Sequence, residues 1–227
     1  MASITLANLK TQTRQRADIE NSNFITDAEL LTYINKSIAE LHDVLTQKFG
    51  NDYFASSTTV SLVAGTDSYN LPSDFFKLLG VDLQLTTSDY VTLKKFEFNE
   101  RNRIQNSLLR GVYGSSYFRY RLRGSQIWIS PVPTGSESLR VWYVPLPTQL
   151  ASDSDTLDGV NGWEEYVIID SAIKCLEKEE SDTQGLQIRK EQMKKRIEEA
   201  AGNRDAAFPA RIVDSQRIDY ESGDGLY

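Results

Sequence analysis

The spacing of apolar residues changes twice along this chain, from helical to strand-like and back. Over residues 3–18, Leu6 and Leu9 sit on one side of a short predicted helix, which Asn21-Ser22-Asn23 ends. The next helix is the clearest local feature. Leu30, Ile34, Ile38, Leu41 and Leu45 recur at helical spacing and form one apolar stripe. Thr26 and Glu29 have the spacing of a capping box, in which hydroxyl and carboxylate satisfy backbone N–H groups that the first turn leaves unpaired; Ile25 and Leu30 occupy the staple positions. Gly50 stands where a left-handed residue would stop the helix.

From Ser56 to Pro147 the period shortens. Thr59–Val63, Phe75–Val81, Tyr117–Leu122, Gln126–Ile129 and Leu139–Tyr143 are short, β-branched or aromatic, and separated by Gly, Pro, Ser and Asp. Arg123-Gly124-Ser125 predicts a tight hairpin between two of them. Residues 98–112, with Arg101, Arg103, Ile104, Leu108 and Leu109, read as a helical insertion in the sheet region.

Helical spacing then returns. Asn161 is placed to cap, with Glu164 third after it, and Tyr166, Ile169, Ile173 and Leu176 form the next stripe. The stripe lapses at Ser181-Asp182 and resumes with Leu186, Met193 and Ile197. Residues 162–201 are one bent helix or two, and two is preferred because Ser181 or Asp182 can cap the second. The fold expected is α+β, with a helical bundle formed by N-terminal (1–55) and C-terminal (151–202) helices and an inserted antiparallel β domain (56–150). An extended C-terminal arm (203–227) follows. It is rich in Gly, Asp and Ser but carries Phe208, Ile212, Val213, Ile218 and Tyr220, a pattern suited to ordering on a partner.

At 227 residues the chain is long enough for a sizeable core. Its net charge of −7 argues against a free DNA-binding protein, since nonspecific affinity comes from neutralising phosphates with Lys and Arg. The single Cys175 excludes an internal disulfide framework and points to synthesis in a reducing, intracellular setting; its helical neighbours make it a core residue. Neither a membrane span nor a signal peptide is expected.

Candidate chemistry is sparse. His42 is the only histidine, lies between Leu41 and Val44, and is expected at a helix surface or subunit contact. One His and one Cys do not make a usual zinc site. Gly111-Val112-Tyr113-Gly114-Ser115 lacks the glycines and following Lys-Ser or Lys-Thr of a phosphate-binding loop. Asp153, Asp155 and Asp158 hint at a calcium loop, but Leu157 replaces a ligand and Asp158 the turn glycine, so a polar turn is expected. No catalytic, cofactor or metal residue is assigned.

Arg119, Arg121 and Arg123 would share one face of a strand, opposite Phe118, Tyr120 and Leu122. In an acidic protein that row suits subunit or channel contacts better than tight nucleic-acid binding. Lys190, Lys194 and Lys195 alternate with Glu191, Glu198 and Glu199, as on a solvated helix face with internal ion pairs.

Four phrases in order carry a resemblance: Ile25-Thr26-Asp27-Ala28-Glu29-Leu30-Leu31-Thr32-Tyr33-Ile34-Asn35; Tyr69-Asn70-Leu71-Pro72-Ser73-Asp74-Phe75-Phe76-Lys77; Arg140-Val141-Trp142-Tyr143-Val144-Pro145; and Asn161-Gly162-Trp163-Glu164-Glu165-Tyr166 with Lys174-Cys175-Leu176-Glu177-Lys178-Glu179-Glu180. The chain resembles the head-to-tail adaptor proteins of tailed bacteriophages, including the tail-tubular adaptors of short-tailed phages. The resemblance implies a virion protein, assembled in the host cytoplasm, that forms a dodecameric ring between portal protein and tail or nozzle proteins. DNA would pass through it without specific binding. The arm would reach the portal through Phe208, Ile212, Val213 and Tyr220; Trp163, Tyr113 and Tyr117 could supply side-to-side contacts, but filling the core is the preferred reading for each of them. A different reading of the aromatic strands 117–143 is a carbohydrate- or ligand-binding β domain on a helical stalk; an enzyme ranks third.

Overall fold

The computed structural model describes residues 4–20, 24–50, 52–105, 118–157 and 162–202. Among them the fold is mixed α+β. A two-residue strand β1 (Ile4–Thr5) leads into α1 (Leu6–Arg16), where the Thr5 hydroxyl accepts the Asn8 N–H. Helix α2 (Asp27–Lys48) has both halves of the predicted capping box. Glu29 N–H donates to the Thr26 hydroxyl and Thr26 N–H to the Glu29 carboxylate. Those bonds, with Lys178 leading, hold the Glu29 carboxyl down at about 2. Gly50 follows the helix end at φ +99°, as its left-handed stop requires.

The β section contains β2 (Ser56–Ser61), β3 (Ser68–Asn70), β4 (Phe75–Gln84), β5 (Tyr90–Thr92), β6 (Lys94–Lys95), β7 (Arg119–Arg123), β8 (Gln126–Ser130) and β9 (Ser138–Pro145). They form two four-stranded sheets, ordered β2-β9-β4-β5 and β3-β8-β7-β6. All pairings in these sheets are antiparallel except β6 with β7, which is parallel and departs from the expected antiparallel domain. Val81 and Leu83 of β4, Leu139 and Val141 of β9, and Ile127 and Ile129 of β8 share one buried cluster, so the sheets face each other. Gly124 and Ser125 make the two-residue turn between β7 and β8, with Gly124 at φ +56°. Of the predicted helix over 98–112, the described residues show a 3-10 turn, Phe98–Glu100, running into α3 (Arg101–Gln105); residues 106–112 lie outside them.

The chain returns through β10 (Thr156–Leu157), which pairs antiparallel with β1. Leu6 N–H donates to the Asp155 carbonyl and Ala7 N–H to that of Asp153. Asn35, midway along α2, grips Leu150 twice: its amide donates to the Leu150 carbonyl and its side-chain oxygen accepts the Leu150 N–H, both at 2.9 Å.

Helices α4 (Glu164–Lys178) and α5 (Gln184–Gly202) are separate, as preferred. Glu180 takes a left-handed φ of +56° at the end of α4, and the Asp182 carboxylate accepts Gln184 N–H at the start of α5. The cap predicted before α4 differs: the N-cap is Trp163, without a side-chain bond, and Glu164 is the first helical residue. Asn161 lies outside the described residues. α4 is contacted by α1, α2 and α5, and Tyr166 through Ile169 are all buried. The four helices share one apolar cluster.

Asp170 of α4 lies within that helical packing at 2% exposure. Lys174 donates to it from the same helix, and Lys190 of α5 donates at 2.6 Å. Both lysines also reach Glu40 of α2, at 3.0 and 2.9 Å. Burial works against the Asp170 charge, but bonds from Lys174, Lys190 and Ser37 outweigh it and hold its pKa below the ordinary value. Lys190 is therefore no solvated surface lysine, contrary to the sequence reading. It takes a place on the Leu186, Met193, Ile197 stripe because a buried carboxylate faces it.

Two outcomes are expected. Thr26→Ala should lower folding stability by about 1 kcal/mol, read from denaturant midpoints, and an unchanged midpoint would contradict the cap. Asp170→Asn should cost about 3 kcal/mol near pH 7 by leaving two lysines under-compensated. Because the folded-state pKa of Asp170 is depressed, its contribution is complete above about pH 4 and fades as pH falls through the folded value. Wild type and variant should thus converge in stability as pH falls below about 4; a gap of constant size on acidification would exclude the assignment.

Candidate assembly surface

Strand alternation sends Tyr120 and Leu122 of β7 against the sheet core and Arg119, Arg121 and Arg123 to the other face. The turn and α3 bring Phe98, Glu97, Glu100 and Arg101 to that face. Arg119 lies 3.9 Å from Glu100 and Arg121 3.8 Å from Glu97; Arg103 also donates to Glu100. The Glu97 N–H first, and then Arg103 and Arg119, hold the Glu100 carboxyl below its ordinary value. Phe98 is 58% exposed and has Arg101 over its ring at 4.3 Å and Arg121 at 5.5 Å. Arg123 lies 4.5 Å from the centre of the Trp128 ring, and among the described residues it has no carboxylate partner.

The three arginines thus share one face, as strand spacing predicts, but they are not a bare basic row. Carboxylates 24 and 19 residues earlier in the chain (Glu97 against Arg121, Glu100 against Arg119) are folded onto it. Interleaved acids weaken the pull on a polyanion, while guanidinium on aromatic suits protein contact.

A second feature lies at the junction of helices and sheets, a cavity of about 250 Å³ lined by Ile38, His42, Phe54, Pro145, Leu146 and Leu150 among others. His42 is 7% exposed, stacked on Phe54 at 4.5 Å and edge-on to Phe76 at 6.0 Å. This corrects the expected surface position: the segments after α2 and at the start of β4 fold over that side of the helix. Burial lowers the His42 pKa, with Asp43 opposing, and among the described residues His42 makes no hydrogen bond that would orient it as a base. Cys175 is fully buried, which pushes its thiol up to about 11. Asp155 organises a turn by accepting the N–H groups of Ala151 and Ser152, and Asp153 pairs with Lys10 at 2.7 Å. Asp158 lies outside the described residues.

The family model for the SU10 adaptor protein matches residues 4–222, nearly the whole chain. The chain belongs to that family. Membership bears out the resemblance to phage head-to-tail adaptors and makes the protein a structural adaptor of the virion. No curated protein matches it.

In the adaptor, Phe208, Ile212, Val213 and Tyr220 lie outside the described residues, as do Tyr113 and Tyr117. Trp163 is half-buried against the helical cluster. Of the aromatic strands, Tyr143 is 6% exposed and Trp142 donates to Asp82. No described helix is long and apolar enough to cross a membrane. The sequence reading missed Glu97, Phe98 and Trp128 as parts of the arginine face. Trp128 was legible two residues beyond the hairpin, where register with Arg121 is forced once Arg123 faces Gln126.

Arg119→Gln tests whether this face is structural. Its ion pair is half-buried but long, at 3.9 Å, so the thermal unfolding free energy should change by less than about 0.5 kcal/mol. A larger loss would make the pair part of the fold.

Proposed function

We propose that this adaptor forms a dodecameric ring beneath the portal, joins capsid to tail and lines the channel through which DNA leaves. The observation that carries the reading is the family match over residues 4–222, which takes in helices, sheets and most of the C-terminal segment. Side-to-side ring contacts need complementary patches that close, and the adaptor exposes large apolar groups suited to them, among them Phe24, Phe76, Phe98 and Leu146. The face of Arg119, Arg121 and Arg123 is assigned to subunit or channel contact. An acidic chain lets DNA pass without holding it.

Residues 1–55 and 151–202 act as one helical body, 56–150 as the inserted β body, and 203–227 as the arm. The pairing of β1 with β10 supports grouping the two ends of the helical body. The arm contacts the portal through Phe208, Ile212, Val213 and Tyr220, whose apolar area offsets the cost of ordering a chain rich in Gly and Asp. Tail or nozzle proteins bind the opposite end. The role is structural, with no turnover.

A chain ending at Gly202 should fold with an unchanged thermal midpoint and fail to join purified portal in electron micrographs, while the full chain forms portal-capped rings. Unfolding of the shortened chain would put the arm in the core. Normal docking by the shortened chain would remove the arm from portal binding.

A further inference from the structure

Among the described residues the two four-stranded sheets end in four edge strands, β2 and β5 in one and β3 and β6 in the other. An edge presents backbone N–H and C=O groups without strand partners. Folded proteins blunt such edges with short strands, bulges or lysine, because a bare edge pairs with other chains. Three of the four are blunted. β3, β5 and β6 are two or three residues long, β6 is Lys94-Lys95, and β4, where it runs on past β5, carries Lys77 and two shifts of register. β2 has none of these devices. Its six residues pair with β9 without a shift, and no charged side chain occurs from Tyr53 to Thr66. Leu62 N–H donates to the Glu137 carbonyl at 2.8 Å, which sets the alternation along this ladder. Ser56, Thr58 and Val60 therefore turn their backbone groups toward β9, and Ser57, Thr59 and Ser61 turn theirs outward. Those three residues are exposed, and no described strand lies beside them.

We propose that β2 is the edge by which two copies of this chain pair outside the ring, antiparallel about a two-fold axis through Thr59. In that register Ser57 faces Ser61 of the second copy, Thr59 faces its own counterpart, and Ser61 faces Ser57. Every outward backbone group of β2 then finds a partner, and each of these pairs exchanges two bonds. Two features select a second copy as the occupant. The outward residues, Ser, Thr and Ser, read the same in either direction, so an antiparallel copy sets hydroxyl against hydroxyl, a favourable cross-strand pairing. Charge is the other. A chain of net charge −7 repels its own copies, least along a stretch that carries no charged side chain. On the inner face Thr58 comes opposite Val60, which packs half-buried against the sheet core and gains cover. A two-fold contact closes after two copies. It therefore stands apart from the side-to-side contacts of the ring, and its test needs neither ring nor portal. So short an edge belongs with weak, reversible interfaces, which lets the copies separate for assembly.

Sedimentation equilibrium of the full chain without portal should show monomer passing to dimer as concentration rises. Thr59→Lys sets like charges against each other on the axis and should weaken association by at least about tenfold. Thr87→Lys, an exposed change in the turn between β4 and β5, should leave it unaltered. Both variants should keep the circular dichroism of the unmodified chain. Thr59→Cys gives an independent reading. Facing residues of a bonded antiparallel pair have Cα atoms about 5.5 Å apart, within disulfide reach. The native Cys175 does not compete, being fully buried with its thiol pushed up to about 11. Mild oxidation of Thr59→Cys should therefore yield a covalent dimer, while Thr87→Cys stays uncrosslinked over the same time. A chain that remains monomeric at every concentration, or association that survives Thr59→Lys, would overturn the proposal. So would a Thr59→Cys chain that associates without crosslinking, since β2 would then pair with a different strand.

Discussion

Two hydrogen bonds from one side chain fix where the sheets sit relative to the helices. The β section leaves the chain after α2 and returns near Leu150, and Asn35 meets the returning backbone with a donor and an acceptor, as a neighbouring strand would. A carboxylate could match only the N–H and a lysine only the carbonyl, so the amide is the chemistry this join needs. The pairing of β1 with β10 and the bonds from Leu6 and Ala7 to Asp155 and Asp153 extend the same seam. With the seam held, Phe54, Leu146 and Leu150 enclose His42.

What the sequence revealed depended on how local each determinant is. The capping box of α2, the Gly50 stop and the Gly124-Ser125 turn are set within a few residues, and all three stand as read. The helix stripes were legible for the same reason. The division of strands between two sheets was not, because alternation gives the buried face of a strand but not its neighbours. β3, β5 and β6 are two or three residues long, too short for any period to register. Lys190 was misread because composition favours a solvated lysine; its position on the apolar stripe was the available sign, and the buried Asp170 that explains it is twenty residues away. His42 failed similarly, since the aromatics that cover it come from outside its helix.

The arginine face shows how an acidic structural protein employs positive charge. Arg119 and Arg121 are balanced by Glu100 and Glu97, while Arg101 and Arg123 lie over aromatic rings. Such groups keep directional hydrogen bonding while their long-range field is muted, which favours a specific protein contact over sliding attraction to DNA. That division of labour fits an adaptor, whose surfaces must recognise neighbouring proteins.

The way α5 is fastened has a further consequence. α4 is buried nearly all round, whereas α5 contributes Met193 and Ile197 as its buried apolar residues, with Leu186 packed beside them, and is tied down by Lys190 to Asp170 and Glu40, by Glu198 to Lys48 and by Arg196 over Trp163. Peeling α5 away exposes little apolar surface but strips a buried carboxylate of one of its two cations. α5 is therefore a separate cooperative unit whose opening requires less free energy than global unfolding, and its amide protons will exchange with solvent before those of α4. Because the latch is electrostatic, the balance between closed and open α5 shifts with acidity while the apolar cluster around α4 stays assembled.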